Sequence, residues 1–263
     1  MSTPPPPHVR AAFGARDAEP VLVDHGPVWR CDDVAMRQAD SPAEASWVAQ
    51  TLNDLTVPDL RLARPLRSSD GRFVVGGWMA FRFIPGRAEP RYDEVVSASL
   101  RLHKATSHLP RPRFLGARAD VFALADRAAW GEEAPPRLTP ELGGRLFDLF
   151  AESRRDISLT PQVVHGDLFG NVLFDDEAPP GLIDFTAFYR PPEWAAAVVV
   201  VDAMAWGGAD DALAKRWSHL EEWPQALLRA LLFRLAVHAL HPKSTSRSMR
   251  GLERAAHRIG QLV

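Results

Sequence analysis

Lysine is nearly missing from this chain: Lys104, Lys215 and Lys243 are the only three among 31 basic residues. No lysine precedes Lys104, so arginine alone must meet any anion in the first hundred residues, with a planar fork in place of a compact ammonium. The arginine bias, with abundant alanine and proline, reflects a GC-rich genome. Cysteine is almost as scarce. Cys31 stands alone, which excludes an intramolecular disulfide and a cysteine-based zinc cluster and leaves a small apolar residue. A glycine-rich phosphate loop is also missing, since only Gly14 and Gly26 are available near the N-terminal strands, with His25-Gly26-Pro27 at the expected turn. The longest apolar run, Trp194 to Trp206, is about half the length of a membrane span and contains Asp202. A net charge of −2, with acids and bases interspersed, gives no global attraction to nucleic acid or an anionic membrane. These absences describe a soluble, cytoplasmic protein.

What is present is enough for a sizeable core: 46% of the 263 residues are hydrophobic. Residues 1–8 are proline-rich and lack the basic start of a signal peptide, so they read as a disordered or extended lead-in. Residues 9–86 carry short β-like stretches at Val21–Val23, Val28–Arg30, Val34–Arg37, Phe73–Val75 and Trp78–Ile84. One helix interrupts them, with Ser41 as N-cap, Pro42 at its first position and Glu44 closing a capping box. Phe81 to Gly86 reads as an edge strand entering a turn. From residue 87 to 263 the pattern is helical, at Tyr92 to about His108, Leu138–Ile157, Glu193–Trp206, Pro224–His238 and Arg247–Leu262.

One interval breaks this pattern. Val163-Val164, Val172-Leu173-Phe174 and Leu182-Ile183 read as brief buried strands, separated by Gly, Asp and Asn. Asp167, Asn171 and Asp184 then fall at neighbouring strand ends. Each is an ordinary turn residue alone. Together they offer hard oxygen ligands beside a separate carboxylate, which suits a magnesium-nucleotide site with a general base.

The run His165-Gly166-Asp167 to Asn171, followed by Ile183-Asp184-Phe185, resembles the catalytic loop and metal segment of the aminoglycoside phosphotransferase and choline kinase-like family. The resemblance implies an α+β, two-lobed protein kinase-like fold, with a small β-rich N-terminal lobe and a larger, mainly helical C-terminal lobe. It implies Asp167 as base for a substrate hydroxyl, His165 bracing the loop, and Asn171 and Asp184 holding Mg2+ against the phosphates of ATP. The partners would be the nucleotide and a small-molecule hydroxyl acceptor. Asn171 follows Asp167 by four positions where the family has five, and Thr186 stands where the metal segment often has glycine.

The strand position that carries a nucleotide-binding lysine in such enzymes falls on Arg37, and its helix partner on Glu44. Arg37 reads as a phosphate ligand or a solvent-facing strand end, and Glu44 as its partner or as the capping-box acid. Arg190 reads as an anion contact or a helix-entry residue. Asp202, inside an apolar helix, needs a partner, either a backbone amide or an arginine. Two functions stay open: an ATP- and magnesium-dependent phosphotransferase acting on a small-molecule hydroxyl, and a catalytically impaired nucleotide-binding or protein-interaction regulator.

Overall fold

A computed structural model describes residues 3–23, 26–39, 41–176 and 178–263. The strands are β1 (Val21–Leu22), β2 (Trp29–Cys31), β3 (Val34–Gln38), β4 (Arg61–Leu62), β5 (Val74–Val75), β6 (Trp78–Arg82), β7 (Gln162–His165), β8 (Val172–Asp175), β9 (Ala178–Leu182) and β10 (Ala187–Arg190). The α-helices are α1 (Pro7–Ala12), α2 (Pro42–Asp54), α3 (Tyr92–Thr106), α4 (Val121–Trp130), α5 (Gly144–Ala151), α6 (Pro192–Asp202), α7 (Leu213–Arg216), α8 (Trp223–Leu240) and α9 (Ser246–Ile259). They divide between two compact units, Met1–Ala88 with Gly170–Phe185, and Glu89–Phe169 with Thr186–Val263.

The first unit is built on an antiparallel sheet in the order β1-β2-β3-β6-β5. Alternation along β3 buries Val34 and Met36 with Cys31 and Trp78, and leaves Arg37 on the opposite face. The helix α1 closes this core with Val9, so the lead-in expected over residues 1–8 gives way to helix at Pro7. Proline suits a first helical position, where no amide partner is needed. Of the glycine-poor turn, His25 lies outside the described residues. The strand β6 is internal to the sheet, which sets aside the edge-strand reading of Phe81–Gly86. Beyond β6, Arg87 exchanges backbone hydrogen bonds with Phe174 at 3.0 and 2.8 Å.

A second sheet, β4-β9-β8, draws residues 170–185 into the first unit: β9 pairs parallel with β4 through Arg61↔Gly181, and antiparallel with β8. The sequence had placed these residues with the helical lobe. Pairing across more than a hundred residues leaves no local signal.

The second unit is organised by α8, which is buried nearly all round and packs against α4, α5, α6 and α9. Phe188, Trp194 and Phe233 meet edge to face at its centre, with ring centroids 5.4 to 5.6 Å apart. The long helix expected over Leu138–Ile157 is only the short α5. Gly143 adopts φ 125°, and a Cβ there would lie 2.7 Å from the Leu235 carbonyl oxygen, so the chain bends before the helix starts. The helix α4 escaped the sequence reading, although its end signals are present: Asp120 caps it and Gly131 ends it at φ 72°. Among the described residues no helix is long and apolar enough to cross a membrane.

Candidate active site

The first unit carries Arg37, Glu44, Asn171 and Asp184. The hairpin β8–β9 pairs Val172 with Leu182, and the Ile183 amide donates to the Asn171 carbonyl at 3.0 Å. Antiparallel register therefore brings Asn171 and Asp184 to one end of the hairpin. Asp184 has φ 50°, the left-handed region that aspartate enters more readily than most residues. Its carboxylate meets Arg37 at 3.1 Å, and Phe185 after it packs on Trp47 of α2 at 6.5 Å between centroids. Arg37 thus sits beside the acid of the Ile183-Asp184-Phe185 segment. Ser41 caps α2 by accepting from the Glu44 amide at 3.4 Å, and Glu44 lies half-buried in the first turn.

These residues fit magnesium by their donor chemistry. Mg2+ binds hard oxygen, keeps several waters and takes one or two carboxylates with substrate phosphates, so Asp184 with the Asn171 amide oxygen meets its protein share. No group of three or more His, Cys, Asp or Glu suited to a metal occurs among the described residues, and a magnesium-phosphate site does not require one.

The second unit carries His165 and Asp167. His165 ends β7, opposite Ala187 of β10. Gly166 follows because a Cβ there would lie 2.4 Å from the Phe188 ring. The Asp167 amide donates to His165 Nδ1 at 3.2 Å, which places the ring proton on Nε2. The Asp167 carboxylate accepts from Arg234 of α8 at 2.6 Å. Arg234 also grips Asp202 at the end of α6, so of the two partners open to that acid, a backbone amide or an arginine, the structure supplies an arginine. Burial pushes the Asp202 carboxyl up to about 6 against the pull of Arg234, and the two carboxylates hold Arg234 protonated despite its own burial.

His103 of α3 lies beneath this loop, and the sequence reading assigned it to packing or solvent. It is fully buried, and its Nε2 accepts from the His165 amide at 3.0 Å. Burial lowers its pKa from 6.5 to about 3, so it stays neutral in the folded chain. The sign follows directly. The unfolded chain takes up a proton below about 6.5 and the folded chain does not, so this stability is present above that pH and lost as pH falls toward 3. From pH 7 to pH 5 the loss is about 2 kcal/mol at ~1.4 kcal/mol per unit. Urea unfolding of wild type and His103→Gln at both pH values isolates it by difference, because the raised Asp202 carboxyl gains stability over the same interval and partly offsets the loss. His103→Gln keeps an acceptor for the His165 amide and should remove most of this pH dependence; an unchanged dependence would refute the assignment.

Arg190 serves structure. It binds Asp126 at 2.9 and 2.8 Å and Glu132 at 2.6 and 3.0 Å, over the face of Trp130. Beyond Asp202, Asp210 shares Arg216 with Asp93, and Asp211 pairs with Arg258.

A phosphotransferase enzyme family model matches residues 33–231, which include both motif segments and most of each unit. The chain belongs to this family. Solved structures agree in fold. A spectinomycin phosphotransferase solved with ADP and spectinomycin is 10% identical, with 92% of each chain covered and a TM-score of 0.57. A choline kinase from Streptococcus pneumoniae is 11% identical, covering 97% of this chain and 98% of its own, at 0.56. A choline/ethanolamine kinase family protein from Mesorhizobium loti is 17% identical, covering 89% and 84%, at 0.53. No curated protein matches the chain in sequence. The fold is therefore kinase-like and α+β, as the motif implied for a phosphotransferase family member.

Proposed function

We propose that this phosphotransferase moves the γ-phosphoryl group of ATP to a hydroxyl of a small molecule, with Asp167 as base and Asn171 and Asp184 as the magnesium ligands. The observation that carries the reading is the trio of Asn171, Asp184 and Arg37 at one hairpin end, within the matched family span. The acceptor oxygen attacks the γ-phosphorus as the bond to the ADP oxygen breaks, and the electron pair leaves with ADP. The hydroxyl proton passes to Asp167, which later returns it to solvent. Bound magnesium would neutralise charge on the phosphates. Arg37 supplies the cation of a lobe that has no lysine, and Glu44, in the first turn of α2, would be its acidic partner toward the nucleotide. His165 holds the amide of Asp167 and so fixes the loop that carries the base. Such catalysis rests on positioning and charge neutralisation, which these side chains provide without a covalent intermediate. Structures with the same fold were solved with ADP and with AMP-PNP, which supports a nucleotide here.

Thermal unfolding with ATP, with and without magnesium, tests the proposal. Saturation at a hundredfold excess over Kd stabilises the folded state by about 2.7 kcal/mol, several degrees in Tm. That shift should require magnesium and accompany slow hydrolysis of ATP, with water as acceptor. A magnesium-dependent shift without turnover would favour the regulator, and no nucleotide effect would sink both nucleotide readings and leave a protein-interaction scaffold.

A further inference from the structure

Within α8, the side chain of Arg234 reaches the proposed base. The helix around it buries Leu227, Leu228, Leu231, Leu232 and Leu235 completely. A guanidinium there costs desolvation, and so does the carboxylate of Asp202, whose side chain is 1% exposed. Apolar residues of similar volume would serve packing at least as well. The hydrogen bonds show where the charge is directed. Nε donates to Asp202 Oδ1 at 2.7 Å, and Nη2 donates to Asp202 Oδ2 and also to Asp167 Oδ1 at 2.6 Å. The bidentate grip on Asp202 fixes the plane of the fork, and the remaining hydrogen of Nη2 is then aimed at Asp167. Asp202 ends α6 and Arg234 lies within α8, so two packed helices determine where one oxygen of Asp167 sits. The side chain of Asp167 itself is 36% exposed, which leaves it accessible to a substrate.

We infer that Arg234 is a positioning residue for phosphoryl transfer: held by Asp202, it locks the Asp167 carboxylate in one rotamer and turns the second oxygen toward the acceptor hydroxyl. This role rests on the phosphotransferase reading, because it gives the arginine a task only if Asp167 is the base. A carboxylate that must meet one proton in line with a displacement gains from a fixed rotamer, since small misplacements of a reacting group cost rate steeply.

Removing Arg234 alone would strand Asp202 as a buried, unpaired charge, so the test removes both charges together. In Arg234→Met with Asp202→Asn, the kcat for magnesium-ATP hydrolysis should fall 10- to 100-fold, with KM for ATP within twofold of wild type. The decisive readout is coupling. Introduced into Asp167→Asn, the same pair should cost less than threefold, because its effect runs through the carboxylate that is already gone. A full-sized loss in that background, or a folded pair variant with wild-type kcat, overturns the role. If the pair variant proves unfolded by tryptophan emission, Arg234→Lys decides. It keeps the charge but loses the fork, so a reduced kcat at constant KM supports the role, and an unchanged kcat overturns it. A wild type without nucleotide turnover overturns the phosphotransferase reading and this role with it. Turnover lost in Asp167→Asn but retained in the pair variant overturns this role alone.

Discussion

In Asp167→Asn, turnover is expected to fall by about 10²- to 10⁴-fold while the protein stays folded. That loss corresponds to roughly 3–5 kcal/mol of transition-state stabilisation, the usual contribution of a positioned base. The replacement is nearly isosteric, and its amide oxygen can still accept from Arg234, which donates to Asp167 Oδ1 at 2.6 Å in the native site. The Asp167 backbone amide keeps its bond to His165 Nδ1, so the loop retains its anchor. Stability should therefore change little, and the magnesium-dependent thermal shift with ATP should persist. A phosphate-release assay run beside thermal unfolding separates the two effects. Turnover within twofold of wild type would remove Asp167 from the chemistry.

The difference between what the sequence reveals and what the fold adds follows sequence distance. The strand over Val34–Arg37 and the Ser41 cap of α2 are local patterns, and each appears in the structure where the chain predicts it. The need of Asp202 for a partner was equally legible, since an ionised group inside an apolar helix cannot stand alone. The identity of that partner was not. Arg234 lies 32 residues from Asp202 and 67 from Asp167, inside a helix whose leucine-rich pattern signals only burial. His103 was hidden for a similar reason: its partner is the His165 amide, 62 residues away, and a backbone group leaves no mark in composition. The parallel pairing of β4 with β9 was also silent, and with it the placement of residues 170–185 in the first unit. The segment 138–157 shows the opposite failure. Its apolar spacing promised a long helix, and the φ of 125° at Gly143 interrupts it, so that α5 starts only at Gly144.

Asp184→Asn should abolish the magnesium-dependent part of nucleotide stabilisation and lower kcat/KM by more than the 10- to 100-fold that changes around a metal ligand usually cost. The ion pair with Arg37 contributes little to folding by itself, because Asp184 is 42% exposed and such pairs are worth about 0–1 kcal/mol. Asparagine also tolerates the left-handed backbone at φ 50°, so the hairpin end should survive the change. Alanine at the same position would add a backbone penalty of about 1–2 kcal/mol. The two variants therefore separate the causes. If the carboxylate acts as the metal ligand, both should lose activity to the same extent and only Asp184→Ala should lose notable stability. If activity instead follows stability, falling in alanine and holding in asparagine, Asp184 shapes the hairpin and the magnesium assignment fails. Arg37 makes the comparison sharper still. Its guanidinium loses the ionic partner in both variants but can still donate to the asparagine oxygen, so salt dependence of stability, which only the ion pair confers, separates its share from that of the backbone.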